Sequence, residues 1–252
     1  MILMLAGESF TGKSVSAGTF PKPMCYLEFD VNGTESLKHA KNKDGSLVVQ
    51  DFEKIFVKAL CKQKVHDLSF VTDMGGKMSK GDPPEHTAES VDVIKEYNEY
   101  MKTLRENKEG FQTLVIDSMT SMFRIWMEMI LWINKIPSIR QNDFGTLTGI
   151  LAGQFLPNLR TLPIPYIILV NHVATEVEEK TGIVLSEFPY APSKNMGKGL
   201  GKHIDELYRQ KIEGGDYVWR TRKTGFFQAG SRLSVPELIK PATFQELSKY
   251  LK

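Results

Sequence analysis

The segment that most constrains the fold lies close to the amino terminus. Residues 7–14 read Gly-Glu-Ser-Phe-Thr-Gly-Lys-Ser and directly follow an apolar run over residues 2–6. Glycines at this spacing let successive backbone N–H groups curl around phosphate oxygens, while the lysine reaches the β- and γ-phosphates. We therefore expect a short buried strand, a phosphate-binding loop and a helix over residues 13–18. The residues expected to contact a bound nucleotide are Gly7, Glu8, Ser9, Phe10, Thr11, Gly12, Lys13, Ser14 and Val15.

Length and composition indicate one globular domain. The 252 residues are 41% hydrophobic and 25% charged, which suffices for a sizeable core. Because the loop begins at residue 7, we expect a single domain over residues 1–252 with no separate amino-terminal domain. Two cysteines, no signal-peptide pattern and an apolar stretch interrupted by charges favour a cytoplasmic protein that does not span a membrane. The net charge of +2 is too small to indicate a nucleic-acid partner by itself.

Predicted strands and helices alternate along the rest of the chain. Strands are expected over residues 24–29, 68–72, 113–116 and 166–170, with weaker candidates over 207–212, 217–221 and 231–235. Helices are expected over residues 51–62, 88–106, 119–135 and 147–162, and a surface loop over residues 74–86. This alternation predicts an α/β fold with a mostly parallel twisted sheet and helices on both faces.

A carboxylate ends the most apolar of these strands. Asp117 follows the apolar run over residues 113–116. A carboxylate in that position holds Mg²⁺ beside a phosphate loop, so Ser14 and Asp117 are predicted to bind the metal. Alternatively, Asp117 or Ser118 only caps the helix that follows.

Other polar residues end two further strands. Glu28 and Asp30 lie at the end of the second strand and share one face if that strand continues, which makes them candidates for the base that orients an attacking water. Glu35 is a weaker candidate, and each of these acids could simply be solvated. Asn171 and His172 follow a later strand, where a polar side chain can hydrogen-bond the γ-phosphate or the water. The alternative is that His172 only caps the strand.

The loop and these strand ends resemble the RecA-like recombinase superfamily. Glu8 and Thr11 are typical of its archaeal and eukaryotic branch, and the short chain is most similar to the phage Sak-type single-strand-annealing ATPases and related phage nucleotide-binding (AAA) proteins. The resemblance implies a RecA-like P-loop core with ATP and Mg²⁺ as cofactors. It places the catalytic carboxylate on Asp30, where the family usually has Glu, and a polar switch pair on Asn171 and His172, where it usually has Asn-Gln.

The same resemblance implies an ATPase that binds single-stranded DNA in phage-type recombination, annealing or repair. Its expected partners are further copies of itself and a single-strand-binding protein, in the host cytoplasm if the chain is phage-encoded. Two loops, over residues 137–145 and 173–201, correspond to the family's DNA-binding loops, although solvated surface loops look similar. The residues expected to contact DNA are Arg140, Gln141, Lys194, Lys198 and Lys202.

A late basic cluster is the candidate for a finger supplied to a neighbouring subunit. Members of this superfamily complete the site with such a residue, and here Arg220, Arg222 and Lys223 are the candidates. An exposed charged strand face explains the cluster equally well. Two other functions remain open from the sequence: a P-loop motor core, such as a helicase or packaging ATPase, and a nucleotide-switched binding module without significant hydrolysis.

Overall fold

The structure is a computed structural model that describes residues 1–30, 33–60 and 87–251. Its strands are β1 Ile2–Gly7, β2 Met24–Glu28, β3 Ile55–Ala59, β4 Thr113–Asp117, β5 Tyr166–Asn171, β6 Val173–Val177, β7 Val184–Pro189, β8 Glu206–Glu213, β9 Asp216–Arg220, β10 Gly230–Ser231 and β11 Leu238–Ile239. Its helices are α1 Lys13–Gly18, α2 Glu35–His39, α3 Thr87–Glu106, α4 Met119–Asn134, α5 Gln141–Gly149, α6 Leu156–Arg160, α7 Lys194–Gly199 and α8 Phe244–Ser248. A π-helical turn, Ile150–Phe155, joins α5 to α6.

Most of the described strands form one sheet in the order β11-β9-β8-β1-β5-β4-β2-β3, and β10 pairs with β8. Every pairing from β8 across to β3 is parallel, whereas β9, β10 and β11 pair antiparallel. Since only β5 lies between β1 and β4, the ends of these two strands are about 10 Å apart at the same edge of the sheet. That edge collects the phosphate loop and the residue at the end of β4.

Side chains along β1 divide between the two faces of the sheet. Leu3 and Leu5 pack against Ala17 of α1, whereas Met4 and Ala6 belong to the cluster that includes α3 and α4. Full burial of a leucine side chain contributes about 1.5–3 kcal/mol, so both faces stabilise the sheet. The predicted α/β class, with a mostly parallel sheet and helices on both faces, is confirmed.

The predicted helix over residues 51–62 is wrong. Phe52–Lys54 form one 3₁₀ turn, and Ile55–Ala59 is the strand β3, the last of the described strands on its side of the sheet and paired in parallel with β2. The β-branched Ile55 and Val57 favour extended backbone. The strand predicted over residues 68–72 and the loop predicted over residues 74–86 lie outside the described residues.

The loops predicted over residues 137–145 and 173–201 are also wrong in part. Helix α5 already begins at Gln141, inside the first segment and ahead of the helix predicted over residues 147–162. The second segment forms the antiparallel hairpin β6–β7 followed by α7. The strand predicted over residues 231–235 shrinks to the two-residue β10. In the described part of the chain, no helix combines the length and apolar character needed to cross a membrane.

Candidate nucleotide-binding site

The loop between β1 and α1 requires glycine at both ends. A Cβ atom on Gly7 would lie 2.6 Å from Thr11 Oγ1 and 2.8 Å from the carbonyl oxygen of Gln210. Gly12 has a φ of 77°, in the left-handed region, and a Cβ there would lie 2.9 Å from the Tyr217 ring. Thr11 Oγ1 donates a 2.8 Å hydrogen bond to the carbonyl oxygen of Glu8 and closes the loop. The backbone is therefore held in a tight curl.

Lys13 lies buried beneath this curl. Its Nζ donates a 2.6 Å hydrogen bond to the carbonyl oxygen of Glu8. Burial lowers the pKa of Lys13 to about 8, although the nearby Asp117 acts in the opposite direction. A buried ammonium group with one backbone acceptor favours an anion in the loop, because the anion would offset the cost of desolvating the charge.

Gln210 holds the loop from the neighbouring strand, and the sequence patterns gave no sign of it. Its Nε2 donates 2.8 Å hydrogen bonds to the carbonyl oxygen of Thr11 and to Ser16 Oγ. Trp219 Nε1 in turn donates a 2.9 Å bond to Gln210 Oε1. All three of these hydrogen bonds are buried, so strands β8 and β9 fix the shape of the loop.

Asp117 faces the end of the loop. Ser14 Oγ donates a 2.6 Å hydrogen bond to Asp117 Oδ2, and Tyr26 Oη donates to the same oxygen. Burial raises the pKa of Asp117 to about 6, and the hydrogen bonds from Ser14 and Tyr26 oppose that rise. Ser118 separately caps α4, since its Oγ accepts a 3.3 Å bond from the backbone N–H of Ser121. The capping role thus falls to Ser118, which leaves the Asp117 carboxylate directed at the loop.

The two acids at the end of β2 point in different directions. β2 ends at Glu28, so Glu28 and Asp30 do not share one strand face as the sequence suggested. Glu28 Oε1 accepts hydrogen bonds from the backbone N–H and the hydroxyl of Thr34, at 2.7 and 3.1 Å. Asp30 Oδ1 accepts one from Ser121 Oγ, and Asp30 lies close enough to Lys13 to raise the pKa of that lysine. Of the two acids, Asp30 faces the loop.

Asn171 is fully buried at the end of β5. Its Oδ1 accepts hydrogen bonds from Thr120 Oγ1 at 2.8 Å and from the backbone N–H of His172 at 2.9 Å, and its Nδ2 donates to the carbonyl oxygen of Tyr190 at 2.9 Å. Nδ2 also donates to Met4 Sδ at 3.8 Å, so a direct bond from Asn171 to a phosphate would have to replace that weak contact or the bond to Tyr190. His172 is half-buried, and burial together with the nearby Lys13 lowers its pKa. His172 is therefore the member of the pair that lies toward the loop.

Comparison with known proteins identifies the family of the chain. A family model described as an AAA domain matches residues 1–233, which is most of the chain. The chain belongs to the AAA-domain family. Among solved structures, the flagellar accessory protein FlaH from Methanocaldococcus jannaschii aligns over 94% of this chain and 83% of its own, at 13% identity and a TM-score of 0.38. No curated protein matches the chain.

Three of the five residues expected to contact DNA form ion pairs in this AAA-domain protein. Lys194 and Lys198 of α7 both donate to Glu176 of the hairpin, the latter over 2.6 Å, and the bond from Lys194 is the main reason why the pKa of Glu176 falls to about 2. Lys202 is exposed one turn later. Arg140 precedes α5, where its backbone N–H donates to Asp143 Oδ2 and its guanidinium group pairs with the same carboxylate over 3.2 Å. Gln141 is the first residue of that helix. The basic segment is a helix, not a flexible loop.

The candidate finger residues lie on and after β9. Arg220 pairs with Glu213 over 2.7 Å and with Glu237 over 3.6 Å, so it is tied to its own subunit. Arg222 is exposed and Lys223 follows it on the surface. Of the three candidates, only Arg222 and Lys223 are therefore exposed enough to reach a neighbouring chain.

Proposed function

We propose that this AAA-domain protein binds ATP with Mg²⁺, hydrolyses it, and couples the nucleotide to binding of single-stranded DNA. The observation that carries the proposal is the meeting of Lys13, Ser14, Asp30 and Asp117 at one edge of the sheet, from the loop and the ends of two other strands. A cation, a hydroxyl and two carboxylates at this edge are the groups that a nucleoside triphosphate and its metal require.

The donor set suits Mg²⁺, which prefers oxygen ligands. Ser14 Oγ and the carboxylate of Asp117 are the residues that would hold the ion, since the two oxygens are already adjacent. When bound, the ion would neutralise charge on the β- and γ-phosphates. Lys13 would move from the carbonyl oxygen of Glu8 to the phosphate oxygens and supply a second cation.

Asp30 is the group best placed to orient a water for attack on the γ-phosphate. Its carboxylate accepts a hydrogen bond from Ser121, which fixes the side chain while leaving its second oxygen for a water. Glu28 is engaged with Thr34 instead. His172 would contact the γ-phosphate region, and Asn171 would hold the strand end behind it.

Support for the DNA partner comes from the surface next to the site. Lys194, Lys198 and Lys202 lie on one helix and the turn that follows it, directly after the hairpin that begins at the end of β5. Lysines of this kind bind a phosphate backbone without reading sequence. The resemblance to phage annealing ATPases adds the proposed role in recombination, annealing or repair, carried out by a homo-oligomer.

A steady-state ATPase assay with and without single-stranded DNA tests the proposal, with Lys13→Ala as the control that should lose turnover. Stimulation of wild-type turnover by DNA supports it. The aspartate at position 30, where the resembling family usually has glutamate, favours one other function, a nucleotide-operated switch without turnover. That function would be indicated if ATP bound at equilibrium and no phosphate were released in either condition. Absence of nucleotide binding would reject both.

A further inference from the structure

Arg209 lies in a row of residues that crosses the sheet at the level of the phosphate loop. The strand register places Ala6 beside Asn171 of β5 on one side and beside Arg209 of β8 on the other. Leu207, two residues earlier on β8, packs in the same cluster as Ala6, so the Arg209 side chain points to that face. The small side chain of Ala6 leaves room for a guanidinium group next to the loop.

The guanidinium group bridges the loop and the β6–β7 hairpin. Nη2 donates to Glu8 Oε1 over 2.9 Å and to Glu187 Oε2 over 3.4 Å, so one nitrogen serves both carboxylates. The ring of Phe227 covers the group at 5.1 Å. Arg209 is only 1% exposed, so its guanidinium group is shielded from water.

The remaining N–H groups of Arg209 have no acceptor. Nε and Nη1 are buried without a hydrogen-bond partner, and among the residues that the structure describes they are the only side-chain nitrogen or oxygen atoms in this condition. Each buried N–H without a partner costs about 1–3 kcal/mol. These costs offset what the ion pairs with the partly exposed Glu8 and Glu187 contribute, so the stability of the fold by itself does not explain the arginine.

Glu187 belongs to a hairpin strand that is tied to the nucleotide edge at a second point. At the end of β7, the backbone N–H of Tyr190 donates to the carbonyl oxygen of His172 over 2.8 Å, and the Tyr190 carbonyl accepts from Asn171. Helix α7 packs closely on the same strand, because a Cβ on Gly197 would lie 2.6 Å from the Phe188 ring. Displacement of β7 would therefore also displace the helix that carries Lys194 and Lys198.

We propose that Arg209 is a positioning residue that couples the phosphate loop, through Glu8, to the hairpin, through Glu187. The inference rests on the proposed nucleotide binding. In the structure, Lys13 donates to the carbonyl oxygen of Glu8. Transfer of Lys13 to a phosphate releases that carbonyl and brings negative charge next to the Glu8 carboxylate. The two hydrogen bonds that Nη2 donates, to Glu8 and to Glu187, then change in relative strength, and the hairpin moves with Glu187.

Hydrogen exchange of the hairpin, with and without the non-hydrolysable analogue AMP-PNP and Mg²⁺, tests the coupling. In wild-type protein the analogue should change the exchange rate of residues 184–190 by about threefold or more. In Arg209→Met the melting temperature of the free protein should stay the same or rise, while the nucleotide-dependent change at the hairpin disappears. A large loss of melting temperature in Arg209→Met would show a purely structural arginine and overturn the proposal.

Glu187→Gln provides a second test that leaves the loop and Arg209 in place. It should bind AMP-PNP as tightly as wild-type protein but lose the hairpin response. Glu179→Gln, at the exposed tip of the same hairpin, is the matched control and should keep the response. An undiminished response in Glu187→Gln, or no response in wild-type protein that binds the analogue, rejects the coupling alone. Failure of wild-type protein to bind the analogue rejects the proposed function and the coupling with it.

Discussion

The hydroxyl of Ser14 donates a 2.6 Å hydrogen bond to Oδ2 of Asp117, a residue 103 positions further along the chain. The bond joins the phosphate loop to the strand β4 across the intervening β5. Both atoms are oxygens of the kind that bind Mg²⁺. A metal ion entering between them would exchange this bond for two coordination bonds.

The first prediction concerns the charge of Asp117. Because burial raises its pKa to about 6 from an ordinary value of 3.8, Asp117 contributes stability below pH 4 that is lost as the pH rises through 6. Asp117→Asn should therefore raise the unfolding free energy of the metal-free protein at pH 8, by up to about 3 kcal/mol. Denaturant titrations at pH 5 and pH 8 measure this, and the gain should be smaller at pH 5. ATPase activity should be lost at both.

The second prediction separates the two acids that follow β2. Asp30→Asn should lower kcat by about a hundredfold or more with little change in KM, because the proposed base acts only in the transition state. Glu28→Gln should instead weaken the bonds to Thr34 and lower stability by about 1 kcal/mol while kcat stays within a few-fold of wild type. Kinetics and melting curves of both variants check this. The opposite pattern would move the base to Glu28.

The phosphate loop could be read from the sequence because its function depends on local backbone geometry. Gly7 and Gly12 must be glycine, and the loop, strand and helix follow one another within residues 2–18. The segment Ile55–Ala59 was misread because its apolar residues fit a helical spacing as well as a strand. Parallel pairing with β2, a contact between distant residues, decided the outcome.

The parts of the site that the sequence did not reveal depend on contacts between strands. Gln210 and Arg209 matter because β8 pairs with β1, so that these two residues lie beside Gly7 and Ala6. The one available signal was that both residues fall within residues 207–212, a segment predicted only as a weaker strand candidate. Glu187, on a hairpin expected to be a loop, gave no signal.

The third prediction concerns a finger supplied by a neighbouring subunit. Arg222→Ala should bind ATP normally and lose hydrolysis, because the finger acts on the neighbour's phosphate and not on its own. Mixing it with Lys13→Ala protein should restore part of the turnover. Arg220→Ala is the control: it loses pairs with Glu213 and Glu237 and should affect stability more than turnover. If the mixture stays inactive although mixed oligomers form, the finger lies elsewhere.

The last prediction concerns Glu176, which pairs with both Lys194 and Lys198 in the structure. If these lysines bind DNA phosphates, Glu176 competes with the DNA, and Glu176→Gln should tighten binding of single-stranded DNA several-fold. Replacement of Lys194, Lys198 and Lys202 by alanine should weaken binding and reduce the slope of log K against log salt by up to about 2, at about 0.7 per phosphate contact. Fluorescence anisotropy with a labelled oligonucleotide at several salt concentrations measures both effects.

Glu178→Gln, on the same hairpin but bonded to Thr181, is the matched control and should leave binding unchanged. An unaltered salt slope in the triple variant would exclude α7 and the turn after it as the DNA-binding surface.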